Sequence, residues 1–185
     1  MATPPSTADA NTTIVRRFVD ELWNAADLSV ADEIFAADCR PHTLHHSPLD
    51  FGGRYGPKHI KLIVAAWRAA FPDWHIAVTD LVAGDDKVML VTRGTGTHLG
   101  ELMGIGPTGR HVTFTGMRIF RIADGKIAEY WVLWDWVGLW QQLGAIPTRA
   151  MPAPGSRYLP VAQKVLRTVG AALTRRVLPA AARVQ

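Results

Sequence analysis

Cysteine is all but missing: Cys39 is the single thiol in 185 residues, so no internal disulfide can form and a reducing compartment is expected. A lone cysteine is ordinarily a small buried hydrophobe. The chain has no apolar run approaching the roughly 18 residues of a membrane-spanning helix. Its opening, Met1-Ala-Thr-Pro-Pro-Ser-Thr, has no basic stretch followed by an apolar one, so no secretory leader is expected and the predicted location is cytoplasmic. Acidic residues stop at Asp135, whereas Arg149, Arg157, Lys164, Arg167, Arg175, Arg176 and Arg183 follow it. Those seven cations exceed the formal net charge of +4, leaving residues 1–148 with 13 basic against 16 acidic side chains. The excess positive charge therefore belongs to a tail, and the body offers no electrostatic reason to bind nucleic acid. The glycine-rich turn Gly104–Gly109 lacks the lysine and helix of a phosphate loop.

What is present is a folded-domain composition, 48% hydrophobic and 19% charged. Residues 1–10 are Thr/Pro/Ala-rich and are expected to be disordered. A first helix starts at Asn11 or Thr12, with Ile14, Val15, Phe18, Val19, Leu22 and Trp23 at helical spacing. A second, short one covers residues 28–35, capped by Ser29. Residues 36–57 read as irregular, with prolines at 41, 48 and 57. A third helix follows Pro57 through Ile60, Ile63, Val64 and Trp67 to Phe71, where Pro72 stops it.

The pattern then changes to long β-prone runs: 74–82, 87–96, 112–122 and 126–136, joined by Gly/Asp turns and hence antiparallel. Asp124-Gly125 between the last two is the strongest hairpin signal, because its left-handed turn matches strand twist. A short helix, 137–143, closes at Gly144. Helices followed by a meander describe an α+β domain, with the N-terminal helices packed in a curved antiparallel sheet. Such a cone leaves a pocket at its open end. Pro147–Pro154 is linker-like, and beyond it Leu159, Ala162, Leu166, Val169, Leu173 and Val177 form one face of a basic amphipathic helix. The expected division is 11–147 for the cone, 148–156 for a linker and 157–185 for the helical tail. That tail has two readings, peripheral contact with anionic membrane or docking on the domain or a second subunit.

Phe71-Pro-Asp-Trp74, the segment GTGTHLGELMGIGPTGR at 94–110, FRIADGKIAEYW at 120–131 and QQLGAIP at 141–147 together resemble the SnoaL-like polyketide cyclases (ester cyclases). This family belongs to the nuclear transport factor 2-like superfamily of α+β cones. The resemblance implies ring closure by intramolecular aldol condensation on a polyketide ester, a place in secondary metabolism, no cofactor or metal, and a homodimer formed through the convex sheet face. In those cyclases an aspartate lies three residues before the position of Asp135, and here that position is Val132. A histidine on the preceding strand aligns with Arg118. The departure leaves two functions open: altered acid–base chemistry of cyclase, isomerase or hydrolase type, or ligand binding without turnover.

Alternation places Tyr130, Val132 and Trp134 on one face of the last strand, and Phe114, Gly116, Arg118 and Phe120 on that of its neighbour. The resemblance makes this the pocket face. Arg118 either faces into the apolar cone, where it needs a partner or an anionic or carbonyl-bearing ligand, or lies at the rim with its head in water. Asp135 is either an acid/base or the N-cap of the helix after it. His42 is a pocket acid/base or a surface histidine. His45 and His46 lack the further ligands at the right spacing for a metal site, and none is assigned. Arg118, Asp135 and His42 are thus the catalytic candidates. Tyr130, Val132, Trp134, Phe114, Trp67 and Trp23 are the substrate-binding ones. Seven tryptophans favour a hydrophobic, flat polycyclic ligand, polyketide- or isoprenoid-like.

Overall fold

The computed structural model describes residues 6–43 and 55–146. His45, His46, the linker and the basic tail lie outside the described residues.

Helix α1 (Thr7–Arg17) begins earlier than Asn11, inside the stretch expected to be disordered. The reason is a capping box: the Ser6 hydroxyl accepts from the Asp9 amide, and the Asp9 carboxylate accepts from the Ser6 amide at 3.1 Å. The helix then widens into a π-helical segment, Phe18–Asn24, closed by the Ala25 amide donating to the Asp20 carbonyl five residues back. Such widening recurs at functional sites, and here it carries Phe18 and Trp23. Helix α2 (Val30–Ile34) and helix α3 (Pro57–Ala70) occupy their expected places, α3 with proline in its first turn.

Strand β1 (Phe35–Thr43) falls in the segment read as irregular. Asp38, Arg40 and Pro41 hid it, because they break both the apolar alternation and the β propensity. Pro41 is tolerated because β1 is an edge strand of the sheet, whose order is β1-β5-β4-β3-β2. Strands β2 (His75–Ala83), β3 (Lys87–Thr97), β4 (His111–Ala123) and β5 (Lys126–Trp134) form the antiparallel meander. The β1–β5 pair is parallel, so the sheet is mixed and not wholly antiparallel. Asp124 and Gly125 both take positive φ, 50° and 70°, and the Ala123–Lys126 pair closes the two-residue hairpin around them. Helix α4 (Trp136–Leu143) ends on Gly144 at φ 82°.

Along β4 every even residue from Val112 to Ile122 is buried, while His111, Thr113, Thr115, Met117 and Ile119 are exposed. Strand β3 repeats this with Val88, Leu90, Thr92, Gly94 and Gly96. The even face forms one apolar core with α1, the π segment and α3. Cys39 is buried in it as a free thiol, its pKa pushed up to about 12 chiefly by that burial. No helix among the described residues is long and apolar enough to cross a membrane.

Candidate functional site

A cavity opens within this core. Its walls are Phe18 and Trp23 from the π segment, Phe35 from β1, and His59, Ile60 and Ile63 from α3. The sheet contributes Arg118 and Phe120 from β4, with Tyr130, Val132 and Trp134 from β5. The cavity is narrow. About 20 Å³ is open to the centre of a water molecule, room for a water and not for a polycycle. A larger ligand must therefore displace a wall, and half-buried Trp134 is the sheet's least buried aromatic there.

Arg118 faces inward and is only 3% exposed. One amino group, Nη1, donates to the Thr92 hydroxyl at 3.0 Å, and that hydroxyl donates in turn to the Gly116 carbonyl. The guanidinium lies over the Trp134 ring at 4.2 Å, with the Phe18 ring at 5.5 Å and the Trp23 ring at 5.9 Å. Its second amino group, Nη2, has no hydrogen-bond partner among the described residues. Among the described residues, no aspartate or glutamate lines the cavity. Burial drives the guanidinium pKa down to about 9, still well above neutrality, so it is a cation at pH 7. Two more buried donors on the same walls lack acceptors, the Tyr130 hydroxyl and the Trp23 indole N–H. Burial raises the Tyr130 pKa, which keeps it a neutral phenol able to donate.

Arg118 and Val132 are direct cross-strand partners. Their side chains therefore sit side by side on one wall. Trp67 and Phe114 lie one layer behind: their rings stack on each other at 5.4 Å and on Trp134 at 6.0 and 4.8 Å. They back the wall without lining it. Trp23, Tyr130, Val132 and Trp134 line it directly.

Asp135 is exposed and caps α4, its carboxylate accepting from the Gly138 amide at 2.9 Å. This corrects the acid/base expectation, because the residue after Trp134 leaves the inward register of β5. His42 is likewise outside. On β1 its ring stacks on Trp131 at 4.5 Å and Nε2 lies 2.7 Å from a Glu129 carboxylate oxygen. Arg121 holds the other Glu129 oxygen at 2.8 Å, and the two together, Arg121 foremost, keep that carboxyl below its ordinary pKa. Parallel pairing with β5 sets His42 opposite Trp131, an outward residue, and that orientation needed β1 to be known.

His59 is the residue that sequence reasoning missed. It is 5% exposed in the first turn of α3 and lines the cavity. The signal was available, since residues 59, 63 and 67 stand at i, i+4 and i+8 on the apolar stripe of α3.

A curved sheet wrapped on helices, with an apolar cavity holding a few polar groups, defines a cone of the nuclear transport factor 2-like kind. More narrowly, the chain belongs to the SnoaL-like polyketide cyclase family, whose model matches residues 13–143. It is 28% identical over 132 residues to aklanonic acid methyl ester cyclase DnrD of Streptomyces peucetius, covering 71% of this chain and 88% of the relative. It is 30% identical over 113 residues to nogalonic acid methyl ester cyclase of Streptomyces nogalater, covering 56% and 78%. Among solved structures, TsrD from Streptomyces laurentii superposes with a TM-score of 0.66 at 25% identity, covering 74% of this chain and 96% of that one.

Proposed function

We propose that the chain is a small-molecule enzyme performing cofactor-free acid–base chemistry of cyclase, isomerase or hydrolase type on a hydrophobic, polyketide-like substrate. The carrying observation is the Arg118 guanidinium, buried without a carboxylate partner among the described residues and with Nη2 unused there on the cavity wall. In an aldol closure a proton leaves the carbon α to a carbonyl, the resulting enolate attacks a second carbonyl, and the new alkoxide takes a proton. Negative charge thus develops on oxygen, and a preorganised cation in a dry cavity stabilises it. Tyr130 is placed to donate to the same oxygen, and His59 is the cavity group suited to move the proton. Asp135 and His42 have no part in this reading. Turnover is the test, with aklanonic acid and its methyl ester as trial substrates. Aldol closure leaves the mass unchanged and shifts the chromatographic retention. Arg118→Gln and His59→Gln are each expected to lower the rate about 10²- to 10³-fold, while Asp135→Ala leaves it within about threefold and costs about 1 kcal/mol of stability as a lost cap. Abolished turnover in Asp135→Ala would overturn the assignment. The second reading, a binder without turnover, is favoured by Val132 at the cyclase aspartate position, and a wild type that binds substrate and leaves it unchanged would establish it.

A homodimer through the outer sheet face belongs to the same proposal. Met117, Ile119 and Leu133 are 43%, 38% and 54% exposed there, around a hollow of about 270 Å³ that Met89 and Trp131 also line. An exposed apolar patch of this kind suits an isologous interface. Light scattering behind a sizing column is expected to give a dimer for wild type and a monomer for Leu133→Glu. A monomeric wild type at tens of micromolar rejects it.

A further inference from the structure

The relatives named above are methyl ester cyclases, whose substrates carry a neutral, masked carboxyl group. The cavity of this chain is built for the opposite charge state. We propose that its ligand is an anionic hydrophobic molecule, a free carboxylic acid or an equivalent oxyanion, held by Arg118 with Tyr130 and Trp23 as further donors. The inference rests on the small-molecule reading of the site and narrows its substrate class.

Three observations support it independently. First, among the described residues the walls hold a formal positive charge and no carboxylate, and the guanidinium of Arg118 lies against the faces of Trp134, Phe18 and Trp23. Aromatic faces attract a guanidinium but do not neutralise it, and a buried unpaired charge is costly until an anion enters. Second, three buried groups on these walls have unused capacity to donate a hydrogen bond. Arg118 Nη2, the Tyr130 hydroxyl and the Trp23 indole N–H are all donors on residues at least nine-tenths buried. A carboxylate offers about four lone-pair sites on two oxygens, whereas its methyl ester offers weaker acceptors and a bulky methyl group. Third, Arg118 and Val132 are cross-strand neighbours, and by the resemblance they stand where the cyclases carry a histidine and an aspartate. An aspartate at position 132 would pair with Arg118 and repel an anion. Valine leaves the cation available.

The test is a matched pair, aklanonic acid against its methyl ester, titrated into the full-length protein and followed by tryptophan fluorescence at pH 7. Wild type is expected to bind the acid at least about tenfold more tightly than the ester. Arg118→Gln is expected to remove that preference, and Arg118→Lys to keep part of it. Val132→Asp, which supplies an internal counter-ion, is expected to reverse it. Equal binding of the two, tighter binding of the ester, binding of neither, or an acid preference that survives Arg118→Gln each overturns the proposal. If the acid is preferred but never converted, the inference stands and the enzymatic reading falls, so the two fail separately.

Discussion

Replacing Trp67 by alanine is expected to remove about 3–5 kcal/mol of stability, the range for deleting a large core aromatic. Against a net stability of about 5–15 kcal/mol for an ordinary domain, that is about a fifth or more of the whole. Trp67 is 1% exposed and sits where five aromatic rings meet: Trp74 at 5.2 Å, Phe71 and Phe114 at 5.4 Å, Trp134 and Trp136 at 6.0 Å. The layer is rigid and cannot collapse cheaply onto the hole, because Gly94 already lets the Trp74 ring approach to where a Cβ would lie 2.1 Å from it. Thermal denaturation followed by circular dichroism is expected to show a fall in Tm of roughly 10–20 °C. Trp67→Phe, which keeps part of the stack, is expected to lose about a third of that. A shift below about 3 °C for the alanine variant would show that the stack tolerates a void there. The same substitution reaches the site, since Trp67 backs Trp134 and Trp134 covers the guanidinium of Arg118.

The sequence reading succeeded where one physical period dominated. Strand β4 alternates without interruption, so spacing could set Phe114, Gly116, Arg118 and Phe120 on one face, while the resemblance made that the pocket face and left Arg118 open between interior and rim. The Asp124-Gly125 turn marked the β4–β5 hairpin, but the pairing of Arg118 with Val132 depends also on a one-residue register shift between Arg121 and Ile122 that the turn does not encode. It failed where tertiary pairing decides. Strand β1 earns its conformation from β5 and not from Asp38, Arg40 or Pro41, so His42 could be assigned to neither face. Asp135 is ambiguous to any local rule, because a strand end and a helix N-cap share it, and only the bond to Gly138 resolves the choice. His59 was not singled out, although its spacing to Ile63 and Trp67 put it on the apolar stripe of α3. Its place on the cavity wall depends on how α3 meets the π segment, which no local pattern encodes. The wider turn from Phe18 to Asn24 is equally silent, since apolar residues three and four apart suit both helix types.

Arg118→Met is expected to stabilise the fold while abolishing the acid preference, the reverse of the usual outcome of a core substitution. Two effects compete. The guanidinium gains a hydrogen bond to Thr92 at 3.0 Å and three aromatic faces, together about 2–3 kcal/mol. Against this stands the desolvation of an unpaired charge, several kcal/mol per ion even after relaxation. Methionine has similar length, fills irregular space and favours aromatic neighbours. Thr92 keeps its own bond to the Gly116 carbonyl, so no polar group is orphaned. The desolvation cost wins, and a gain of about 1–3 kcal/mol, or several degrees in Tm, is expected at pH 7. The gap also has a defined pH dependence. The folded pKa of Arg118, about 9, lies well below the ordinary arginine value, so above pH 9 the unfolded chain holds the proton that the folded one has released. Wild-type stability therefore recovers as pH rises through about 9, and its deficit against Arg118→Met is full below that value and shrinks above it. Comparing the two proteins at the same pH cancels the other titrating groups. A methionine variant less stable than wild type at pH 7 would mean that the aromatic cage alone satisfies the guanidinium. Arg118 would then be a core residue that needs no ligand, and the case for an anion in this cavity would lose its energetic basis.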